Sequence, residues 1–322
     1  MIELLDLKID VVFKDFFGDK SNKEILESFL NSVLELKGDD AIEVEEFLDP
    51  RQLRIEVGKP STFVDLAVKT KGGERYIVEM QTYNHEGFDK RLLYYLGKDY
   101  TEQIEYEYVQ PIEVETKKIK KGISWRSLPR VHIVAIVDFH RDGKEKNGIL
   151  NDQRVVETYR FSPEVSAAND HLFDHWKATI VDLKKFKSRP VNKLETDKEI
   201  WIHILNDAPF LAESERNTLK QDPIFCRAIE RLEMLSADSQ TRRHYQASRH
   251  ELLDHMAVMS AVKREGREEG REEGREEGRE EGRKQRSKEI AIALLNQMLS
   301  MQQIADTTGL TVEEIKALSE SD

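Results

Sequence analysis

Two neighbouring segments of this chain alternate apolar and polar residues with a period of two, and a short glycine-containing stretch separates them. The first segment is FVDLAVKT, residues 63–70, and the second is RYIVEMQT, residues 75–82. This alternation is typical of β-strands, because successive side chains point to opposite faces of a sheet. The sequence therefore predicts a β-hairpin that carries Asp65 on one strand and Glu79 and Gln81 on the other.

The length of the hairpin loop decides whether the faces of the two strands match. A two-residue loop would mix apolar with acidic positions on each face. A three-residue loop, either 71–73 or 72–74, shifts the pairing by one residue, and the first of these sets Asp65 opposite Glu79. We predict a loop of odd length, because both faces then become coherent and the two loop glycines readily adopt positive φ.

Two carboxylates that face each other across a hairpin repel unless a cation lies between them. Magnesium suits such a pair, since it takes one or two carboxylates together with water and substrate phosphate oxygens. A bound ion of this kind lowers the pKa of an attacking water and stabilises charge on a phosphodiester. Asp65 and Glu79 are therefore candidate metal ligands, and Gln81 is a candidate for orienting the water. The alternative, which spacing alone favours, is a solvated outer face of the hairpin.

The segments around the hairpin indicate a mixed α/β domain. Apolar residues recur at helical spacing from Lys14 to Leu36 and again over residues 87–104, after the hairpin. The continuous apolar run VHIVAIVDF, residues 131–139, is typical of a buried strand. The order helix, strand, hairpin, helix, strand is that of an α/β fold. A further strand is expected at residues 178–186, followed by charged helices from Lys198 to Met259.

Several motifs resemble those of one nuclease family. The string VDLAVKTKGGERYIVEMQ, with DVVFKDFFG and LDP upstream and FDKRLLYYLGKDYTEQ downstream, is similar to the Rpn family of recombination-promoting nucleases. This family is a branch of the PD-(D/E)XK nuclease superfamily and includes proteins described as transposases. The likeness continues through WIHIL near residue 201 and the Glu-Gly-Arg repeats. It implies a restriction-endonuclease-like core with a central mixed sheet flanked by helices, and a helical C-terminal extension.

The resemblance also implies roles for individual residues of the hairpin. The metal-binding acids of the family fall on Asp65 and Glu79, and the metal is Mg²⁺, with Mn²⁺ as an alternative. Gln81 stands where the wider superfamily often has lysine, although this branch commonly shows glutamine. A neutral amide aligns water but adds no positive charge to the reacting phosphate, so we expect another cation to be recruited.

Four basic residues are candidates for that cation. Arg91 and its neighbour Lys90, on the helix after the hairpin, are the preferred candidates, and Arg91 is assigned to the catalytic set. Lys69 shares the polar face but lies about 13 Å along its strand from Asp65. Lys14 is a weaker choice. For each one the alternative is an ordinary surface cation. Glu24 or Glu27 on the first helix is a candidate third acid, with a solvent-facing role as the more common alternative.

The C-terminal part contains a repeat, EGREEGREEGREEGREEGR, at residues 265–283. In a helix its identical charges repel at i and i+4, and each glycine costs about 1 kcal/mol relative to alanine. The repeat therefore favours a mobile or marginally helical spacer over 259–288, with helix formation on self-association as the alternative. The spacer separates a nuclease domain at 1–258, with its core at about 1–140, from a last module at 289–319. In that module Ala305, Gly309 and Ile315 have helix-turn-helix spacing.

Composition limits the classes of function. The net charge of -12 means that contact with DNA must come from local basic patches. The single cysteine, Cys226, excludes an intrachain disulfide and a thiolate metal cluster, as expected in the cytoplasm. No signal peptide or membrane span is predicted. We expect a Mg²⁺-dependent DNA endonuclease whose partner is double-stranded DNA, with no membrane partner, and homo-oligomer formation stays open. The alternative is a non-catalytic DNA-binding or oligomeric assembly protein derived from a mobile element.

Overall fold

A computed structural model describes most of the chain, with gaps between the described segments. These are residues 2–49, 64–84, 87–109, 112–114, 117–119, 128–139, 154–160, 175–297 and 299–319. Phe63 of the predicted hairpin and Pro50 of the LDP motif lie outside the described residues. Internal contacts divide the chain into two units, Met1–Glu251 and Leu252–Asp322. The domain boundaries expected at residues 258 and 288 stay predictions.

The first unit contains both helices and strands. Its strands are β1 (Val44–Leu48), β2 (Leu66–Thr70), β3 (Arg75–Gln81), β4 (Ile112–Val114), β5 (Lys117–Ile119), β6 (Val131–Val137), β7 (Val156–Arg160) and β8 (Trp176–Asp182). Its helices are α1 (Asp10–Phe17), α2 (Lys23–Leu34), α3 (Phe88–Val109), α4 (Asp197–Asp207), α5 (Glu213–Leu219) and α6 (Pro223–Ala237). Helix α7 (Ser239–Leu295) continues into the second unit, which also holds α8 (Met301–Thr308) and α9 (Val312–Ser319).

Six strands form one mixed sheet in the order β1-β2-β3-β6-β8-β7. Strands β3, β6 and β8 run parallel to one another, and the remaining neighbours pair antiparallel. The parallel connection from β3 to β6 includes α3, as parallel strands require a crossover. A mixed sheet flanked by helices, with further helices toward the C terminus, confirms the predicted fold class.

The hairpin has the predicted three-residue loop at 71–73. Leu66 pairs with Val78, and continuing this register by one residue sets Asp65 opposite Glu79. The Thr70 N–H donates to the Glu74 carbonyl at 2.9 Å, and the Gly73 N–H donates to the Thr70 carbonyl at 2.9 Å. Gly73 has φ of +86°, a conformation that side chains disfavour and glycine adopts freely.

Both faces of the hairpin are largely covered, because successive residues of β2 and β3, which point to opposite faces, are nearly all buried. On the side that carries Ala67 and Ile77, helix α3 packs through Phe88, Leu92, Tyr95 and Leu96. In the parallel pairing with β6, Glu79 lies beside Ala135 on the same side. The solvated outer face that spacing alone favoured is therefore wrong for the candidate site residues, because Asp65, Glu79 and Gln81 are all buried.

The N-terminal helical segment differs from the single helix expected from Lys14 to Leu36. Helix α1 begins at Asp10 and ends at Phe17, and a short 3-10 turn then leads into α2. The physical reason is packing at Gly18, where a Cβ atom would lie 2.9 Å from Leu66 Cδ2. The close approach of the chain to β2 thus ends α1 and fixes its C-terminal end against the hairpin.

Helix α7 runs through the entire Arg-Glu-Glu-Gly repeat without a break. The structure thus gives the spacer a helical conformation, and its mobility stays a prediction. Adding residues to an existing helix is much less costly than nucleating one, and helical sequence borders the repeat on both sides. Each repeat also supplies one favourable Glu-to-Arg pair at i, i+3.

The second unit contains a small apolar core, to which Ile315 of the predicted helix-turn-helix spacing belongs. Its buried residues are Ala291, Ile304, Leu310 and Ile315. Gly309 ends α8 with φ of +71°, which is the left-handed conformation expected of a turn glycine. Among the described residues, no helix is long and apolar enough to cross a membrane.

Candidate active site

The structure brings the carboxyl groups of Asp65 and Glu79 together at the hairpin. Asp65 lies one residue before β2, and its N–H donates to Glu79 Oε2 at 3.2 Å. In return, the Met80 N–H donates to Asp65 Oδ2 at 2.7 Å. The two residues are 8% and 4% exposed. Each carboxyl is therefore fixed by the backbone of the other strand, on one side of the sheet and away from bulk water.

Helix α1 adds a lysine and a third acid to this pair. Lys14 Nζ lies 3.1 Å from Asp65 Oδ1 and 2.5 Å from Asp10 Oδ1. The Asp10 carboxyl also shares a hydrogen bond with that of Asp65. Sequence reasoning missed Asp10 because it started the helix at Lys14. The available signal was the i, i+4 spacing of an acid and a base in DVVFK, which is common on helices.

Helix α3 contributes Arg91, the cation that the sequence preferred. Arg91 Nη2 lies 3.3 Å from Glu79 Oε1 and donates a hydrogen bond to Gln81 Oε1. Its guanidinium carbon lies 5.7 Å from the ring centroid of Tyr95, within the range of a cation–π contact. Gln81 Nε2 donates to the Tyr83 carbonyl at 3.3 Å. Arg91, Glu79 and Gln81 thus form one connected group.

The other basic candidates do not join this group. Lys69 pairs with Glu45 Oε2 at 3.1 Å, toward the outer strand β1. Lys90 is exposed on α3. Lys14, which the sequence ranked below Lys90, instead lies beside Asp65. Which of these cations serves the reaction stays a prediction.

The acids proposed on the leading helix also lie elsewhere. Glu24 pairs with Arg227 at 3.6 Å. Glu27 Oε1 accepts a hydrogen bond from the Val44 N–H at 2.6 Å and so holds β1. Both belong to α2, one helix later than the helix that reaches the site. Asp10 of α1 takes the place that the sequence assigned to them.

A family model described as PD-(D/E)XK nuclease family transposase matches residues 7–261 of the chain. The chain belongs to this family. The match begins before α1 and includes the hairpin and α3, so every group of the candidate site lies within it. It also confirms the resemblance to recombination-promoting nucleases seen in the sequence. Searches among curated proteins and among solved structures gave no match.

The buried acids of this PD-(D/E)XK protein have strongly perturbed proton affinities. Burial, with the hydrogen bond that the protonated Asp65 donates to Asp10, raises the pKa of Asp65 to about 7, although the charge of Lys14 acts in the opposite direction. Burial, with the negative charge of Asp65, raises the pKa of Glu79 to about 8, against the effect of Arg91. The nearby cations therefore offset only part of the cost of ionising this pair.

The donor set fits a hard divalent cation that keeps part of its coordination shell. Within the described ranges, no group of three or more His, Cys, Asp or Glu side chains is arranged to hold a metal ion. Asp65 and Glu79 offer carboxylate oxygens only, which suit Mg²⁺ or Mn²⁺ better than Zn²⁺. Magnesium commonly takes one or two carboxylates and fills its remaining positions with water and phosphate oxygens. An acidic pair in need of positive charge matches that preference.

Two tyrosines of α3 pack inside the protein and do not offer their ring faces to stacked bases. Tyr95 is buried in the core beneath the sheet, and Tyr100 packs edge to face on Trp176 with ring centroids 5.8 Å apart. Tyr94 differs, because its side chain is exposed.

Proposed function

We propose that the chain is a Mg²⁺-dependent endonuclease that hydrolyses phosphodiester bonds of double-stranded DNA. The observation that carries the proposal is the convergence of the buried carboxyls of Asp65 and Glu79 across the hairpin, held by reciprocal hydrogen bonds. Membership of a nuclease family supports the same chemistry. Leaving two acids buried side by side is costly, and such strain concentrates at functional sites.

Each residue of the site would have a separate role in hydrolysis. Asp65 and Glu79 would hold the metal ion, which supplies an activated water and stabilises charge on the phosphate. The Gln81 amide is positioned beside Glu79 and would orient the attacking water. Arg91 fixes both Glu79 and Gln81 through one guanidinium nitrogen. Its positive charge also favours the ionised form of Glu79, which is the form that binds metal.

The role in recombination rests on the family rather than on the geometry. The family model describes its members as transposases, and strand breaks of the kind proposed here can start an exchange between DNA molecules. We therefore propose DNA breaks that promote recombination as the biological outcome. The rival function is a non-catalytic DNA-binding or assembly protein derived from a mobile element, in which the same acids serve no chemical purpose.

A plasmid assay separates the two functions. Supercoiled plasmid is incubated with the wild-type chain and with Asp65→Ala, in Mg²⁺, in Mn²⁺ and in EDTA. The control is Glu74→Gln, which changes an acid of the same hairpin at the loop end of β3 and leaves the site intact. We expect nicked or linear DNA from the wild type and from Glu74→Gln, only with metal. If Asp65→Ala cuts the plasmid as fast as the wild type, or if cutting persists in EDTA, the proposed metal-dependent endonuclease activity is refuted.

A further inference from the structure

We propose that Lys14, on helix α1, supplies the positive charge to the scissile phosphate that a lysine on the hairpin supplies elsewhere in the superfamily. The inference rests on the proposed function and adds a catalytic residue to it. Lys14 reaches the site from outside the hairpin, with its ammonium group 3.1 Å from Asp65 Oδ1.

The hairpin itself has no cation at the reacting position. Gln81 is neutral, and its amide is held in place by Arg91, which donates to the oxygen, and by the Tyr83 carbonyl, which accepts from the nitrogen. Its second N–H can still align a water, but a neutral amide cannot neutralise a phosphate oxygen. The charge must therefore come from another element.

Arg91 is less free than Lys14 to fill that role. The Arg91 guanidinium contacts Glu79, Gln81 and the face of the Tyr95 ring, and its side chain is 27% exposed. Its contacts therefore favour a role in holding the hairpin acids. The side chain of Lys14 is 36% exposed, and its ion pairs are with two carboxylates, Asp65 and Asp10. The side chain of Lys14 is thus the more exposed of the two.

The pairing of Lys14 with Asp65 can be exchanged for pairing with a phosphate. A divalent cation on Asp65 would repel the ammonium group, because the two positive charges would share one carboxylate. Asp10, one helical turn before Lys14, still holds the ammonium group near the site after that exchange. A phosphate oxygen that enters beside Asp65 then lies within reach of the N–H groups of Lys14, which donate to it.

The backbone that carries Lys14 is firmly held, so only its side chain has to move. Helix α1 buries Phe13, Phe16 and Phe17 on the side that faces the core. The Phe17 ring packs on Trp201 of α4 with centroids 6.1 Å apart. The Gly18 N–H donates to the Lys14 carbonyl at 2.8 Å where the chain passes Leu66. Such fixed placement is what a group needs if it is to meet a charge that develops only in the transition state.

The test compares Lys14→Gln and Lys14→Arg with wild type, with Asp65→Ala as the inactive reference. The matched control is Lys69→Gln, since Lys69 is 40% exposed and pairs with an acid outside the site. Two quantities are measured: the single-turnover rate of plasmid cutting, and the rise in Tm on adding Mg²⁺ alone. The second needs no activity and reports whether the metal site is intact.

We expect Lys14→Gln to cut at least about a hundredfold more slowly, the usual loss for a donor aimed at transition-state charge. Lys14→Arg keeps the charge and should retain most of the rate, and Lys69→Gln should match wild type. The Mg²⁺-dependent rise in Tm should be unchanged or larger in Lys14→Gln, because a competing cation has left Asp65. A structural role predicts the reverse, a smaller rise.

Two results would overturn the inference without touching the proposed function. One is cutting by Lys14→Gln at the wild-type rate while Asp65→Ala is inactive. The other is loss of the Mg²⁺-dependent rise in Tm in Lys14→Gln, which would mean that Lys14 assembles the metal site. A wild-type chain that does not cut in either metal would overturn the proposed function, and the inference with it.

Discussion

Replacing Glu79 by glutamine should stabilise the metal-free protein, although it removes a ligand that the proposed reaction needs. Glu79 is 4% exposed and lies against Asp65, and its pKa is raised from 4.5 to about 8. Because the folded pKa is the higher one, the folded protein binds more protons than the unfolded chain. The contribution of Glu79 to the unfolding free energy is therefore fully present below pH 4.5 and is lost as the pH rises toward 8. Glutamine does not titrate, so the Glu79→Gln variant does not lose unfolding free energy over this pH range.

The size of the effect follows from the shift. A pKa change from 4.5 to about 8 costs on the order of 4 kcal/mol of unfolding free energy at pH 8, at about 1.4 kcal/mol per pKa unit. Near pH 5, ionisation of Glu79 lowers the unfolding free energy by less than about 1 kcal/mol. Between these conditions, Glu79→Gln should therefore gain about 3 kcal/mol relative to wild type. Asp65 can take up a proton in place of Glu79, so this value is an upper limit. Taking the difference between two pH values removes any pH-independent effect of the substitution.

The measurement is urea denaturation in EDTA at pH 5 and pH 8, followed by tryptophan fluorescence, to which the buried Trp201 contributes. The control is Asp99→Asn, because Asp99 is 1% exposed but pairs with Arg75 at 2.9 Å. Removing one partner of that buried pair should destabilise the protein at both pH values, by about 3 to 5 kcal/mol. The reasoning fails if Glu79→Gln is no more stable relative to wild type at pH 8 than at pH 5.

Three further predictions follow from the same structure. The rise in Tm caused by Mg²⁺ should grow with pH up to about 8, because metal binding displaces protons from carboxyls with raised pKa; a rise independent of pH would contradict this. Gly18→Ala should lower stability in urea by about 1 to 3 kcal/mol, since the new Cβ atom would lie 2.5 Å from the Lys14 carbonyl oxygen and 2.9 Å from Leu66 Cδ2; unchanged stability would argue against the close approach. Gly309→Ala should cost about 1 to 2 kcal/mol at the left-handed residue that ends α8, seen as faster hydrogen exchange in α8 and α9; equal exchange would refute the turn.

The hairpin shows how far local reasoning reaches. Its register depends on side-chain alternation and loop length, and both are read from about twenty consecutive residues. The choice of an odd loop was correct because an odd loop keeps apolar residues on one face, and of the two odd loops left open the structure has the one that sets Asp65 opposite Glu79. Arg91 was also within reach of this reasoning, since α3 follows the hairpin directly and periodicity locates its residues.

The repeat marks where local propensity misleads. Summing the glycine costs and the like-charge pairs predicts a spacer with little helix, but the segment is helical from end to end. Helix propensity describes an isolated peptide that must nucleate its own helix, whereas here the flanking residues on both sides of the repeat are already helical and the helix only has to be extended. Residues at the ends of the repeat therefore decide the conformation of residues within it.

The sequence by itself determined the hairpin, the odd length of its loop and the face that Asp65 and Glu79 share, because these depend on periodicity between near neighbours. Only the tertiary structure decided that the pair is buried and that Asp10 and Lys14 lie beside it. Those facts depend on α1 packing against β2, a contact between segments far apart in the chain. Such contacts are set by how apolar surfaces fill space throughout the domain, and no local pattern in DVVFK or VDLAV records them.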